Sequence, residues 1–130
     1  MVEHKHLILR GKISNAPKSN DTFAMEQWMR NFAKSQGMEI AGGPVASYVD
    51  DKGNRGMTAS CLIKTSHVSL HVWDEEKPPL IQFDFYTCGA MDAKSVIEEI
   101  DDSFGLKGYE YMLLDRNAED GIQVMERVNE

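Results

Sequence analysis

Three side chains with distinct chemistry lie close together between residues 66 and 89. Ser66 and His71 belong to the segment SHVSLHVW (66–73), and Cys88 belongs to DFYTCG (84–89). A short acidic stretch with two prolines connects the two segments, so both fit one β-hairpin. A hydroxyl, an imidazole and a thiol on one hairpin suit a protein that makes its own electrophilic cofactor.

Side-chain alternation predicts a polar and an apolar face for this hairpin, because successive residues of a strand point to opposite sides. The polar face comprises His67, Ser69, His71 and Trp73 on the first strand, and Gln82, Asp84, Tyr86 and Cys88 on the second. The intervening aliphatic and phenylalanine residues are expected to face helices. Alternation places Ser66 opposite His71, so a bend or bulge at Ser66 is needed for the two to meet.

A polar sheet face is commonly only a solvated surface, and a single strand histidine is more often packed or exposed than catalytic. Finding so many reactive residue types on one hairpin favours a functional site. A zinc site formed by His67, His71 and Cys88 is a rival interpretation, but the sequence has no Cys-x-x-Cys or His-Glu-x-x-His spacing. His4 and His6 have no obvious partner and are interpreted as structural or incidental.

The other elements predict how the hairpin is positioned. Residues 4–11 alternate as a first strand, and helical spacing predicts one helix ending near Gly37 and another from about Asp92 to Gly105. Further strands are predicted over residues 39–49, 57–64, 67–73, 80–88 and 109–115. The connections within the central group of strands are short and favour antiparallel pairing. We therefore predict an α+β two-layer sandwich, an antiparallel sheet with two helices on one face.

Length and composition restrict the classes of function. The 130 residues predict a single domain over 1–116, and the polar residues 117–130 predict a loosely ordered tail. The net charge of −7 offers no basic surface for nucleic acid, although it suits a cationic small molecule. No apolar run approaches the roughly 20 residues of a membrane span. Two cysteines and no signal segment predict a cytoplasmic protein.

Three segments resemble motifs of the bacterial and archaeal S-adenosylmethionine decarboxylases, which are small pyruvoyl enzymes. The family's Glu-Ser-His, His-Thr-Trp-Pro-Glu and Asp-x-Phe-Thr-Cys-Gly motifs correspond to TSH (65–67), HVWDE (71–75) and DFYTCG (84–89). A weaker likeness covers most of residues 4–115. The central motifs carry the resemblance.

The resemblance implies a proenzyme that cleaves itself between Thr65 and Ser66. The Ser66 hydroxyl attacks the Thr65 carbonyl, the peptide becomes an ester, and elimination leaves a pyruvoyl group on the new N-terminus. The fragments 1–65 and 66–130 remain associated. By position, His71 matches the histidine that acts in processing, and Thr58 matches a hydroxyl residue that assists it.

The resemblance also assigns roles in turnover. The pyruvoyl group derived from Ser66 forms an imine with the substrate amine and accepts electrons as carbon dioxide leaves. Cys88 matches the proton donor, Glu75 matches a carboxylate that contacts the substrate, and Trp73 lies beside it. The implied protein is a homodimer of cleaved subunits that decarboxylates S-adenosylmethionine and supplies the aminopropyl donor for spermidine, a polyamine.

Departures from the family motifs motivate two alternatives. Thr65 replaces the glutamate before the cleavage serine, and Asp74 replaces the proline after Trp73. An extra acid beside Glu75 would suit a second ammonium or a guanidinium, which favours a pyruvoyl-dependent decarboxylase of ornithine or arginine. A chain that never cleaves would instead be a binding or regulatory protein.

Overall fold

Seven strands form one antiparallel sheet in the computed structural model, which describes residues 3–130. The elements in chain order are β1 (Lys5–Ile13), α1 (Thr22–Ser35), β2 (Ile40–Val49), β3 (Gly56–Ile63), β4 (Ser66–Trp73), β5 (Leu80–Thr87), α2 (Ala93–Phe104), β6 (Leu106–Ala118) and β7 (Gly121–Asn129). The strand order is β2-β3-β4-β5-β1-β6-β7, and every neighbouring pair is antiparallel. The predicted α+β class is confirmed.

Both helices pack on one face of the sheet and form a single core with it. The alternation predicted for the central hairpin is observed, since Leu70 of β4 and Phe83 and Phe85 of β5 are at most 1% exposed. Phe32 of α1 lies edge-on against both phenylalanines, with ring centroids 5.4 and 5.2 Å away. Burying each such side chain contributes roughly 1.5–3 kcal/mol, so this layer fixes the orientation of the hairpin.

The other side of the sheet, which we call the open face, carries the polar residues of the hairpin. His71 is exposed there, and Ile8 of β1 is 45% exposed. The open face therefore presents the polar side chains of β3, β4, β5 and β1 away from the helices.

The ends of α2 agree with the sequence prediction. The Asp92 side chain accepts a hydrogen bond from the Lys94 backbone N–H at 3.2 Å, and Gly105 ends the helix with a φ of +67°. A side-chain acceptor before the first turn is a usual start signal of a helix, and a left-handed glycine after the last turn is a usual stop signal. Over the described residues, neither helix has the length and apolar character to cross a membrane.

The prediction of a loosely ordered tail beyond Asn117 is wrong. β6 continues to Ala118, and residues 121–129 return as the edge strand β7. The backbone of Tyr109 closes the pair through two hydrogen bonds with Glu130, at 2.8 and 3.1 Å. An edge strand with mostly exposed side chains leaves little burial pattern in the sequence, because backbone pairing rather than an apolar face holds it in place.

Gly56 marks a close approach between the start of β3 and the end of β4. A methyl group at Gly56 would lie 1.6 Å from the carbonyl oxygen of Val72, a backbone atom held in the sheet. We expect Gly56→Ala to lower the free energy of unfolding by at least about 3 kcal/mol in urea titrations. Gly53→Ala is the control, because its added carbon meets no atom within 4 Å and only its φ of +86° is unfavourable, at about 1 kcal/mol. Equal losses in the two variants would contradict the steric argument.

Candidate active site

One end of the β4–β5 hairpin brings Thr65, Ser66 and Cys88 together. His67 pairs with Tyr86 in the antiparallel register of β4 and β5. Continuing that register by two residues places Thr65 opposite Cys88. The Thr65 hydroxyl oxygen lies 3.0 Å from the Cys88 sulfur. The hairpin register thus places the predicted cleavage site beside the predicted proton donor.

Ser66 has an unusual environment for a hydroxyl. The residue is 9% exposed, and its Oγ is buried without a hydrogen-bond partner of normal geometry in the described chain. Leaving such a group unsatisfied costs roughly 1–3 kcal/mol. Native proteins contain few buried polar groups without a hydrogen bond. An unsatisfied hydroxyl at a candidate reaction centre therefore favours a catalytic role for Ser66. The uncommitted hydroxyl is adjacent in the chain to the Thr65 carbonyl, the group that it would attack.

The two cysteines have opposite electrostatic environments. A hydrogen bond with the Thr65 side chain, followed by one from the Thr65 backbone, lowers the pKa of the Cys88 thiol, and the Ser66 side chain adds a smaller contribution. Burial raises the pKa of the Cys61 thiol, which lies in the core at 2% exposure. Since the thiolate is the nucleophile, we expect Cys88 to be more reactive than Cys61.

This difference predicts selective alkylation by iodoacetamide. In the intact Ser66→Ala chain we expect Cys88 to react and Cys61 to stay unmodified until urea unfolds the protein. A lowered pKa means more thiolate at neutral pH, so the rate at Cys88 should reach half its maximum at a lower pH than in the urea-unfolded chain. Peptide mass spectrometry over a pH series measures both sites. Equal midpoints in the folded and unfolded chains would contradict the assigned environment.

Thr58 and His71 form a second group, on the open face. They are register partners on β3 and β4, and the Thr58 hydroxyl lies 3.1 Å from Nδ1 of His71. The next pair on the same face, Ser60 and Ser69, has its hydroxyl oxygens 2.9 Å apart. The two residues that the resemblance assigns to processing are therefore in direct contact.

His71 is nevertheless separated from Ser66 within one chain. Ser66 is buried on the helix side, whereas His71 is exposed five residues later, about 17 Å along the strand. The bend or bulge that alternation required at Ser66 is not found in the described strands, because the β3–β4 register runs without a shift from His71 to Ser66. His71 of the same chain is therefore not positioned to act on Ser66.

Trp73 and Glu75 lie at the opposite end of the hairpin from Ser66. The indole N–H of Trp73 donates to the Asn54 side chain at 2.7 Å. Glu75 accepts hydrogen bonds from the backbone N–H groups of Gly53 and Arg55, at 2.9 and 3.3 Å. Trp73 follows Ser66 by seven residues, about 23 Å along the strand. The β2–β3 turn therefore fixes both predicted substrate-binding residues far from the Ser66 of their own chain.

The family model described as S-adenosylmethionine decarboxylase matches residues 5–117. The chain belongs to the S-adenosylmethionine decarboxylase family. The match runs from β1 to β6, and β7 lies beyond it. A search of curated proteins finds no match to this chain.

Family membership supports a decarboxylase of the S-adenosylmethionine decarboxylase type. The acids near Trp73 affect whether a basic amino acid could bind instead. Asp74 accepts a hydrogen bond from Tyr48 at 2.7 Å, and this bond is the main reason that the pKa of Tyr48 rises to about 12. Glu75 is held by the β2–β3 turn, and Glu76 pairs with Lys12 at 3.1 Å. Each of these acids thus already has a partner in the described chain, which reduces the negative charge that this end of the hairpin offers to a second ammonium or guanidinium.

The open face of this family member also holds a cluster that the sequence analysis missed. His6 and His67 both direct Nε2 to the same carboxylate oxygen of Asp84. The interpretation of His6 as lacking a partner is wrong, because β1 pairs with β5 and places His6 beside Tyr86. In the sequence, the only sign of this cluster is that His6 lies on the polar side of an alternating strand.

The rival zinc site is not assembled in the described chain. His71 lies four residues beyond His67, about 13 Å along β4, and Cys88 contacts Thr65 at the other end of the hairpin. The group of potential ligands that does come together consists of His6, His67 and Asp84.

Proposed function

We propose that this chain is a pyruvoyl-dependent decarboxylase of S-adenosylmethionine that cleaves itself between Thr65 and Ser66. One observation carries the proposal beyond family membership: the Ser66 hydroxyl is buried, has no hydrogen-bond partner of normal geometry in the described chain, and lies beside the Cys88 thiol. A pyruvoyl group needs a serine precursor, and decarboxylation needs a proton donor at the same position. Both requirements fit the Thr65–Ser66–Cys88 end of the hairpin.

Self-cleavage uses only side chains and backbone of the protein, together with water. Ser66 Oγ attacks the Thr65 carbonyl carbon, the C–N bond breaks, and an ester joins the two halves. A base then removes the Ser66 α-proton, the ester C–O bond breaks, and Thr65 leaves as a carboxylate. Hydrolysis of the resulting dehydroalanine releases ammonia and leaves the pyruvoyl group. That group supplies a ketone that binds the substrate amine and accepts electrons during loss of carbon dioxide.

In the proposed reaction, Cys88 returns the proton to the substrate carbon. In the intact chain, hydrogen bonding with Thr65 lowers the pKa of this thiol. Cleavage would turn Thr65 into a C-terminal carboxylate beside the sulfur, and a neighbouring negative charge disfavours the thiolate. We therefore expect cleavage to raise the pKa of Cys88 and keep its proton available at neutral pH.

The separation between the ends of the hairpin supports a site shared by two copies of the chain. A two-fold axis that stacks the open faces would bring the Thr65–Ser66 bond and Cys88 of one copy to the His71 and Glu75 end of the other, while the Ser66 hydroxyl stays on the helix side. Each site would then take its precursor serine and thiol from one subunit, and its processing pair and substrate carboxylate from the partner. The acidic surface, with a net charge of −7, suits the sulfonium and ammonium charges of the substrate.

Denaturing mass spectrometry tests the cleavage. We expect two fragments, 1–65 and 66–130, with a pyruvoyl group at the start of the second. Carbon dioxide release should then be faster from S-adenosylmethionine than from ornithine or arginine. A chain that stays intact at 14.7 kDa would overturn the proposal in favour of a binding or regulatory protein. Faster release from a basic amino acid would overturn the substrate assignment alone.

Mixed dimers test the shared site. Neither Ser66→Ala nor His71→Ala is expected to cleave when expressed alone. When the two are expressed together, a mixed dimer contains one complete site, so the His71→Ala chain should cleave while the Ser66→Ala chain stays intact. Cleavage of His71→Ala alone, or none in the mixture, would contradict the arrangement.

The proposal includes the biological setting predicted from the sequence. Both Cys61 and Cys88 are free thiols, as in proteins of the reducing cytoplasm. There the decarboxylated product would supply the aminopropyl group for spermidine synthesis.

A further inference from the structure

The cluster on the open face has the composition and placement of a metal site. Two imidazoles and one carboxylate come from three adjacent strands, His67 from β4, Asp84 from β5 and His6 from β1. Their ligand atoms lie within 4.8 Å of one another. From the geometry we infer that His6, His67 and Asp84 bind a divalent cation of the zinc type, a site separate from the reaction centre at Ser66.

The register of the sheet explains why these three side chains converge. His6 and His67 both pair with Tyr86, one from each side of β5, and Asp84 precedes Tyr86 by two residues on the same face. The Tyr86 ring lies 5.4 Å from His6 and 5.7 Å from His67, between centroids, and restricts both imidazoles. The three ligands are therefore held on the central strands rather than on mobile loops.

The hydrogen bonds show where a cation would sit. Nε2 of His67 lies 3.3 Å from Oδ1 of Asp84, and Nε2 of His6 points to the same oxygen. Tetrahedral zinc with bonds of about 2.0–2.1 Å needs donors roughly 3.3 Å apart, so small side-chain rotations suffice.

The donor set also indicates which cation is preferred. Two imidazole nitrogens and one carboxylate oxygen suit Zn²⁺, whereas Mg²⁺ requires oxygen ligands in octahedral geometry. Three protein ligands leave at least one position for water or another ligand on the open face. The side chains of His6 and His67 are 15% and 35% exposed in the single chain, so neither imidazole is enclosed in the core under the helices.

Zinc titration of the untagged protein at pH 7.5 tests the inference, with competition from a chromophoric chelator as the readout. We expect one Zn²⁺ per chain and no comparable binding of Mg²⁺. His6→Gln and Asp84→Asn should each weaken zinc binding at least about 100-fold. A stoichiometry well below one, or wild-type affinity in either variant, would overturn the site.

His4→Gln is the matched control, because His4 lies two residues from His6 but bonds to the Tyr86 hydroxyl at 2.7 Å instead of to Asp84. It should bind zinc as the wild type does. Loss of binding in His4→Gln together with retention in Asp84→Asn would identify a local His4–His6 chelate and contradict the inference. Circular dichroism checks the fold of each variant.

A measurement on the wild type covers the case in which a variant fails to fold. Zinc should protect His6 and His67 from modification by diethyl pyrocarbonate, while His4, which bonds to the Tyr86 hydroxyl, should be modified to the same extent with and without zinc. Peptide mass spectrometry distinguishes the three positions, and equal modification with and without zinc would count against the site.

Discussion

Replacing Ser66 by alanine is expected to leave one intact chain of 14.7 kDa without decarboxylase activity. Alanine has no hydroxyl for the acyl shift, so neither the ester nor the pyruvoyl group can form. We expect activity to fall by at least about 10⁴-fold, the scale seen when a catalytic nucleophile is removed. Denaturing mass spectrometry and carbon dioxide release measure the two effects separately.

Ser69→Ala is the matched control for this substitution. Ser69 lies three residues along β4, but its hydroxyl faces the open side and contacts Ser60 at 2.9 Å. This variant should cleave as the wild type does. If both alanine variants remain intact, the loss reflects damage to β4 rather than a missing nucleophile. Cleavage of Ser66→Ala at the normal bond would remove Ser66 from its proposed role.

The central hairpin shows which part of the fold could be predicted from the sequence. The alternation in β4 and β5 correctly separates the buried phenylalanines from the polar residues, because each strand has one face in the core. Counting along the same register would also place Thr65 beside Cys88. β7 escaped prediction because its contacts with β6 are mainly backbone hydrogen bonds, which are independent of residue type.

The site was harder to predict than the fold, for two physical reasons. Alternation correctly placed Ser66 and His71 on opposite faces, but the expected bulge does not form, because the β3–β4 register is continuous between them. The cluster of His6, His67 and Asp84 depends on β1 lying beside β5, a pairing between segments about 75 residues apart. No local sequence pattern indicates that β1 lies beside β5.

Replacing Cys88 by alanine should separate processing from turnover. Ser66 and Thr65 are unchanged, so we expect the chain to cleave and form its pyruvoyl group. Loss of a positioned proton donor typically slows a reaction about 10²–10⁴-fold, and kcat should fall by that amount. Cleavage is followed by mass spectrometry, and kcat by carbon dioxide release per cleaved chain.

Cys61→Ala and the pH profile make this test specific to Cys88. Cys61 is buried on the core side of β3, so its replacement should cost about 1 kcal/mol of stability and leave kcat unchanged. Because the protonated thiol is the donor, wild-type kcat should decline as pH rises through the Cys88 pKa. In Cys88→Ser that decline should disappear, since a hydroxyl stays protonated throughout this range. An unchanged alkaline decline in Cys88→Ser, or full turnover by Cys88→Ala, would assign proton return to another group.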